Sequence, residues 1–173
     1  MKSISSNSVA IAGEFAVLSQ LTMHEYDANM TLGNTKSVDI LASNQKTGKL
    51  YKIEVKTNLK DARSKPSASK IFGSSVSEWM LSKKNEKVND PNLFYCFVNV
   101  TKNTNEFKFY IVPSKVVAQY VKDEHQLWLS EKKKEGKVVK DTDMRTFRLG
   151  VSGEKYKIKT PIAEKYENNW DMK

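Results

Sequence analysis

The run Leu93 to Val100, written Leu-Phe-Tyr-Cys-Phe-Val-Asn-Val, constrains the fold more than any other stretch. A strand with one wet face alternates apolar and polar residues, and this segment does not. It is long enough for a strand, short for a helix, and reads as a strand buried on both faces. Such a strand needs neighbours in a sheet and cover above and below, which excludes a purely helical bundle and a disordered tail. The hydrophobic content of 39% and aromatic content of 10% suit a packed core. The 173 residues fit one domain, so residues 1–173 are expected to form a single unit of function.

Several classes drop out on simple grounds. No stretch of ~18 apolar residues exists, so no membrane span and no membrane partner are expected. Met1 to Asn7 is polar and lacks the apolar centre of a secretory signal. Cys96 is the only cysteine, which excludes an intrachain disulfide and a cysteine zinc cage. With only His24 and His125, a multi-histidine metal site is not expected either. A reducing, cytoplasmic setting fits these features. The 29 Lys and Arg against 20 Asp and Glu leave a formal charge of +9, which favours a polyanionic partner, nucleic acid first.

The first periodic segment predicts a helix from Ser6 to Met23, with Ser5, Ser6 or Asn7 as N-cap. Ile11, Val17, Leu18 and Leu21 mark its apolar stripe. The period then changes to two, which predicts strands over Asn29–Leu32, Ser37–Ala42 and Lys49–Thr57. Gly33-Asn34 and Asn44 to Gly48 supply turns, so an antiparallel meander is expected. Residues 58–75 read as irregular and basic, and Val76 to Lys83 as a short helix. A strand over Phe107 to Val112 follows the turn Asn103-Thr104-Asn105, then a helix from Lys115 to Leu129. Thr146 to Val151 reads as extended, with a last helix from Pro161. The expected class is mixed α/β, one sheet covered by helices.

Glu-x-Lys occurs four times, so context must decide which triplet matters. Those at Glu131 and Glu135 sit in a charged run, and Glu106 with Lys108 reads as an exposed strand face. Glu54 and Lys56 differ. They share one face of a strand whose other face carries Tyr51, Ile53 and Val55. Pairing across the turn near Gly48 puts Asp39, an acid between Val38 and Ile40, opposite Glu54. Carboxylates on facing residues repel unless a cation sits between them. Oxygen-only ligands of this kind suit Mg²⁺. Glu14 adds a third carboxylate on the apolar stripe of the first helix, where it needs a partner: the metal or Lys56. The competing interpretation is a cross-strand ion-pair cluster with no chemistry.

Gly13-Glu14 on an N-terminal helix, Val38-Asp39-Ile40-Leu41, and Ile53-Glu54-Val55-Lys56-Thr57 resemble the PD-(D/E)XK nuclease superfamily. Restriction endonucleases, Holliday junction resolvases and some homing endonucleases belong to it. The motif's proline is absent, since Ser37-Val38 precede Asp39. The resemblance implies a restriction endonuclease-like fold, a central mixed β-sheet flanked by helices. It implies Asp39 and Glu54 as metal ligands, Lys56 as the catalytic lysine and Glu14 as the helix-borne acid.

The function expected is a Mg²⁺-dependent DNA endonuclease, with Mn²⁺ as substitute cation. One centre per chain implies a homodimer or higher homo-oligomer for cutting both strands. Lys60, Arg63, Lys65 and Lys70, in the basic segment 46–70, are candidate phosphate contacts. The alternatives are an inactive nucleic-acid-binding module on the same fold and a nuclease acting on RNA or as a toxin. The tryptophans Trp79, Trp128 and Trp170 read as packing residues, Cys96 as an inert core residue, and both histidines as surface or helix-end residues.

Overall fold

A computed structural model describes residues 4–32, 38–60, 77–150 and 163–173. Helix α1 (Ser6–Met23) begins at Ser5, whose hydroxyl accepts from the Ser8 N–H at 3.1 Å. Strands β1 (Tyr26–Met30), β2 (Ile40–Asn44) and β3 (Leu50–Lys60) follow as the expected antiparallel meander. The β2–β3 turn uses Asn44 as its organiser: its Oδ1 accepts from the N–H groups of Lys46 and Thr47, and Gly48 takes φ 68°. The turn expected at Gly33-Asn34 lies outside the described residues.

Strand β4 (Ser77–Ser82) leads into a short 3₁₀ turn, Lys83–Lys87, then β5 (Leu93–Thr101) and β6 (Phe107–Pro113). Asn105, at φ 54°, closes the β5–β6 hairpin. Helix α2 (Ser114–Lys134), strand β7 (Met144–Leu149) and the single turn α3 (Ala163–Tyr166) complete the order. The sheet order β1-β2-β3-β5-β6 is mixed: β3 and β5 run parallel, and the other three pairings are antiparallel. The expected mixed α/β class with a mixed central sheet is therefore the one adopted. A second, two-stranded sheet of β4 and β7 was not anticipated.

The chain forms two compact units. One contains α1, the five-stranded sheet and the C-terminal residues Glu164–Lys173. Its core joins Tyr51, Ile53 and Val55 of β3 to Phe94, Cys96 and Val98 of β5, with Val17 and Leu21 of α1, Trp170 and Met172. Each such side chain contributes about 1.5–3 kcal/mol when withdrawn from water. Tyr95 and Phe97, on the other face of β5, are equally buried, so the strand lacks a wet face from Leu93 to Val100 as its sequence requires.

The helical stripe differs from expectation in one residue. Ile11 is 43% exposed, while Gly13, Val17 and Leu21 are buried. Glu14 is the only charge in α1, so hydropathy alone does not single out a face.

The other unit holds β4, the 3₁₀ turn, α2 and β7. The helix expected over 76–83 is strand β4 instead. Ser77, Trp79 and Leu81 are buried and alternate with Glu78 and Met80, and Trp79 lies across from Phe147 on β7. A six-residue segment of that kind fits either period until a partner strand selects one. Arg145 is buried and ties this unit together, donating to Glu86, to Asp141 at 3.2 Å, and to the carbonyls of Thr142 and Met144. Lys83 and His125 also bond Asp141, which holds its carboxyl well below the usual range. His125 is thus a buried, partnered residue, and not the surface group expected from sequence. His24 is exposed and stacks on the buried Trp170, whereas Trp128 is half-exposed.

Candidate active site

The site begins where β2 stops. Its last paired residues are Ile40 and Ile53, and β3 runs on to Lys60 paired with β5. Asp39, one residue before that last pair, breaks the regular register and donates its N–H to the Ile53 carbonyl at 2.8 Å. The Asp39 side chain then takes the place of the next ladder acceptor: its Oδ2 accepts from the Val55 N–H at 2.7 Å. On its other side Thr31 donates its N–H to the Asp39 carbonyl at 2.9 Å and its hydroxyl to the Val38 carbonyl at 2.7 Å. An aspartate is suited here because a short carboxylate can replace a missing main-chain carbonyl.

Glu54 points away from the face of Ile53 and Val55, and its side chain is only 5% exposed. Its Oε1 pairs with Lys56 Nζ at 2.8 Å. Its Oε2 is buried with no hydrogen-bond partner among the described residues. A buried carboxylate oxygen left in that state is costly, and costly groups concentrate where chemistry needs them.

Glu14 arrives from α1 through a close contact one residue earlier. A Cβ at Gly13 would come within 1.9 Å of Thr57 Oγ1, so only glycine lets α1 settle this deeply on β3. Burial pushes the Glu14 carboxyl above its ordinary pKa; the negative charge of Asp39 adds to the rise and Lys56 opposes it. Glu14 therefore lies within electrostatic reach of both Asp39 and Lys56, and Lys56 is ion-paired to Glu54.

All four site residues expected from sequence sit together in the unit built on the five-stranded sheet. Among the candidate phosphate contacts, Lys60 ends β3, while Arg63, Lys65 and Lys70 lie outside the described residues. The other Glu-x-Lys triplets are surface features: Glu131 pairs with Lys134, Glu135 pairs with Lys132 and Lys137, and Lys108 is exposed. Cys96 is fully buried, and burial pushes its thiol pKa up, away from reactivity. Two parts of the site were not read from the sequence: the Val55 amide as the seat of Asp39, and Thr57 as the surface against which Gly13 rests. A glycine inside an 18-residue helix was the available signal, because it costs about 1 kcal/mol relative to alanine and so asks for a reason.

The donor set is carboxylate oxygen. Among the described residues no group of three or more Asp, Glu, His or Cys side chains converges to cage an ion. A cation held by Asp39 and Glu54 would complete its shell with water and substrate oxygens, which is the habit of Mg²⁺. The unpartnered Glu54 Oε2 is an oxygen such a cation could use.

The fold is a mixed α/β one in which an N-terminal helix packs on a mixed sheet and acids gather at the end of a short strand pairing. No family model matches the sequence, and no curated protein matches it. Among solved structures it is similar to a bacterial homing endonuclease, I-Ssp6803I, with a TM-score of 0.51 and 15% identity. The match covers 96% of this chain and 88% of that one, and what the two share at this identity is the fold.

Proposed function

We propose that this protein is a Mg²⁺-dependent DNA endonuclease of the PD-(D/E)XK type, hydrolysing phosphodiester bonds by attack of water. The observation that carries this reading is the geometry at the end of the β2–β3 pairing. Asp39 is seated on the Val55 amide, and Glu54 and Lys56 form a buried-to-exposed ion pair on the same strand. The likeness of the whole chain to a protein described as a homing endonuclease supports it.

In this reading Asp39 and Glu54 hold the cation, Mg²⁺ or Mn²⁺. When bound, the ion supplies Lewis acidity toward a phosphoryl oxygen and lowers the pKa of a water. Lys56, one-third exposed, presents its Nζ to the attacking water or to charge developing on the phosphate. Glu14 borders the pair and orients Lys56. Lys60, Arg63, Lys65 and Lys70 contact neighbouring phosphates, and two copies act together to cut both strands. The described helices include none long and apolar enough to cross a membrane.

The test is a supercoiled-plasmid assay with Mg²⁺, with EDTA, and with Asp39→Asn, alongside linear RNA and branched DNA. Nicking or linearisation that needs both the cation and Asp39 supports the reading. DNA binding without cleavage under any divalent cation would favour the inactive binding module, and cleavage of RNA alone would change the substrate.

A further inference from the structure

The chain builds a structural ion pair quite differently from the one at its candidate site. Arg145 has a side chain only 1% exposed, and it satisfies two carboxylates and two carbonyls with a planar, multidentate head. Lys56 offers a single point charge on a flexible stem. It touches one oxygen of Glu54, leaves the other without a hydrogen-bond partner among the described residues, and is itself 33% exposed. The pair is therefore buried at the acid and open at the cation. That arrangement neutralises Glu54 without committing both of its oxygens, and it leaves the lysine a route outward.

We propose that Lys56 is the resident counter-ion of Glu54, and that a divalent cation loads by taking Glu54 over from it. Rotation of the released, one-third exposed side chain then turns the ammonium toward solvent, where a phosphate would lie. This rests on the metal-site reading above. One physical consequence is that Lys56 weakens cation binding in the free protein. Another is that the cation, by displacing it, prepares the ammonium for its work on the substrate. Without a cation, Glu54 keeps a partner and the burial of its charge remains tolerable.

Two measurements on the full chain without DNA test this. In the first, Mn²⁺ is titrated calorimetrically into wild type, Lys56→Met and Lys56→Arg. Lys56→Met should bind roughly tenfold tighter, within the ~5–150-fold span typical of coupled binding equilibria. Lys56→Arg should bind no tighter than wild type. The second needs no variant: the Lys56 side-chain NH₃⁺ resonance of wild type is followed by NMR as Mg²⁺ is added. Displacement predicts a signal protected in metal-free protein that shifts or exchanges away at saturation. Equal affinities in wild type and Lys56→Met, or a Lys56 signal unmoved at Mg²⁺ saturation, would overturn the exchange while leaving the metal site standing. Absence of cation binding in wild type and Lys56→Met alike would overturn both.

Discussion

Gly13 of α1 rests on Thr57 of β3 so closely that a Cβ at position 13 would meet the threonine hydroxyl oxygen at 1.9 Å and its Cβ at 2.9 Å. This contact sets the depth at which α1 docks, and Glu14 is the next residue. Replacing Gly13 with alanine improves helix propensity by about 1 kcal/mol but forces the helix off the strand, at about 1–3 kcal/mol for overpacking. Gly13→Ala is expected to be net destabilising and to lower any cleavage rate further than its stability loss explains. Thr57→Ala in the same chain should recover only part of the loss, because the Thr57 Cβ is itself too near. Urea denaturation of wild type and the two variants measures this.

The pH dependence of stability should carry the mark of Glu14. Its carboxyl pKa is raised in the folded protein, chiefly by burial, so the folded state holds that proton to higher pH than the unfolded chain does. This contribution is present at acid pH and is lost as pH rises from the ordinary glutamate value of 4.5 through the raised folded value. Glu14→Gln should accordingly be more stable than wild type at pH 7 in EDTA, with the advantage shrinking toward pH 4. Equal stabilities at both pH values would show that Glu14 is not disfavoured as an ion.

Arg145 anchors the other unit. Removing the guanidinium leaves Glu86, 15% exposed, without its cation. Arg145→Met should cost about 3–5 kcal/mol, the usual penalty for stripping one partner from a buried pair. Arg145→Met with Glu86→Leu should recover part of it. Chemical denaturation monitored at Trp79 fluorescence would report the change.

Much of the site was legible because its chemistry follows from neighbouring residues on one strand. Period two placed Glu54 and Lys56 on the face opposite Ile53 and Val55, and the short turn at Gly48 set the register that ends at Ile40 and Ile53. Asp39 comes next to that pair, and it bonds Ile53 and Val55 instead of facing Glu54 in the ladder. Ser5 as a cap and the fully buried β5 were legible for the same local reasons. What escaped depends on distant partners. Ile11 and Val17 look equivalent on a helix with a single charge until Gly13 and Thr57 decide which side goes down. Residues 77–82 become a strand because β7 is there to pair with them, and His125 is buried because Asp141 and Trp128 receive it. Ser37-Val38 precede Asp39 in the sequence, and the Val55 amide, which no local pattern announced, is what seats this aspartate.

The basic residues after β3 yield a prediction about salt. Arg63→Ala with Lys65→Ala should weaken DNA binding about equally for all sequences and reduce the salt slope of log K by roughly 0.9 per lost phosphate contact, or about 1.8 for the pair. Binding measured with Ca²⁺ in place of Mg²⁺, across a range of salt concentrations, checks it. An unchanged slope would place the phosphates elsewhere.

The most direct test of the account is anomalous diffraction from crystals soaked in Mn²⁺. One or more anomalous peaks should lie within coordination distance of both Asp39 and Glu54, absent from crystals of Asp39→Asn. Well-ordered carboxylates with no peak at saturating Mn²⁺, and Lys56 still paired to Glu54, would contradict it and leave the cluster as a structural ion pair.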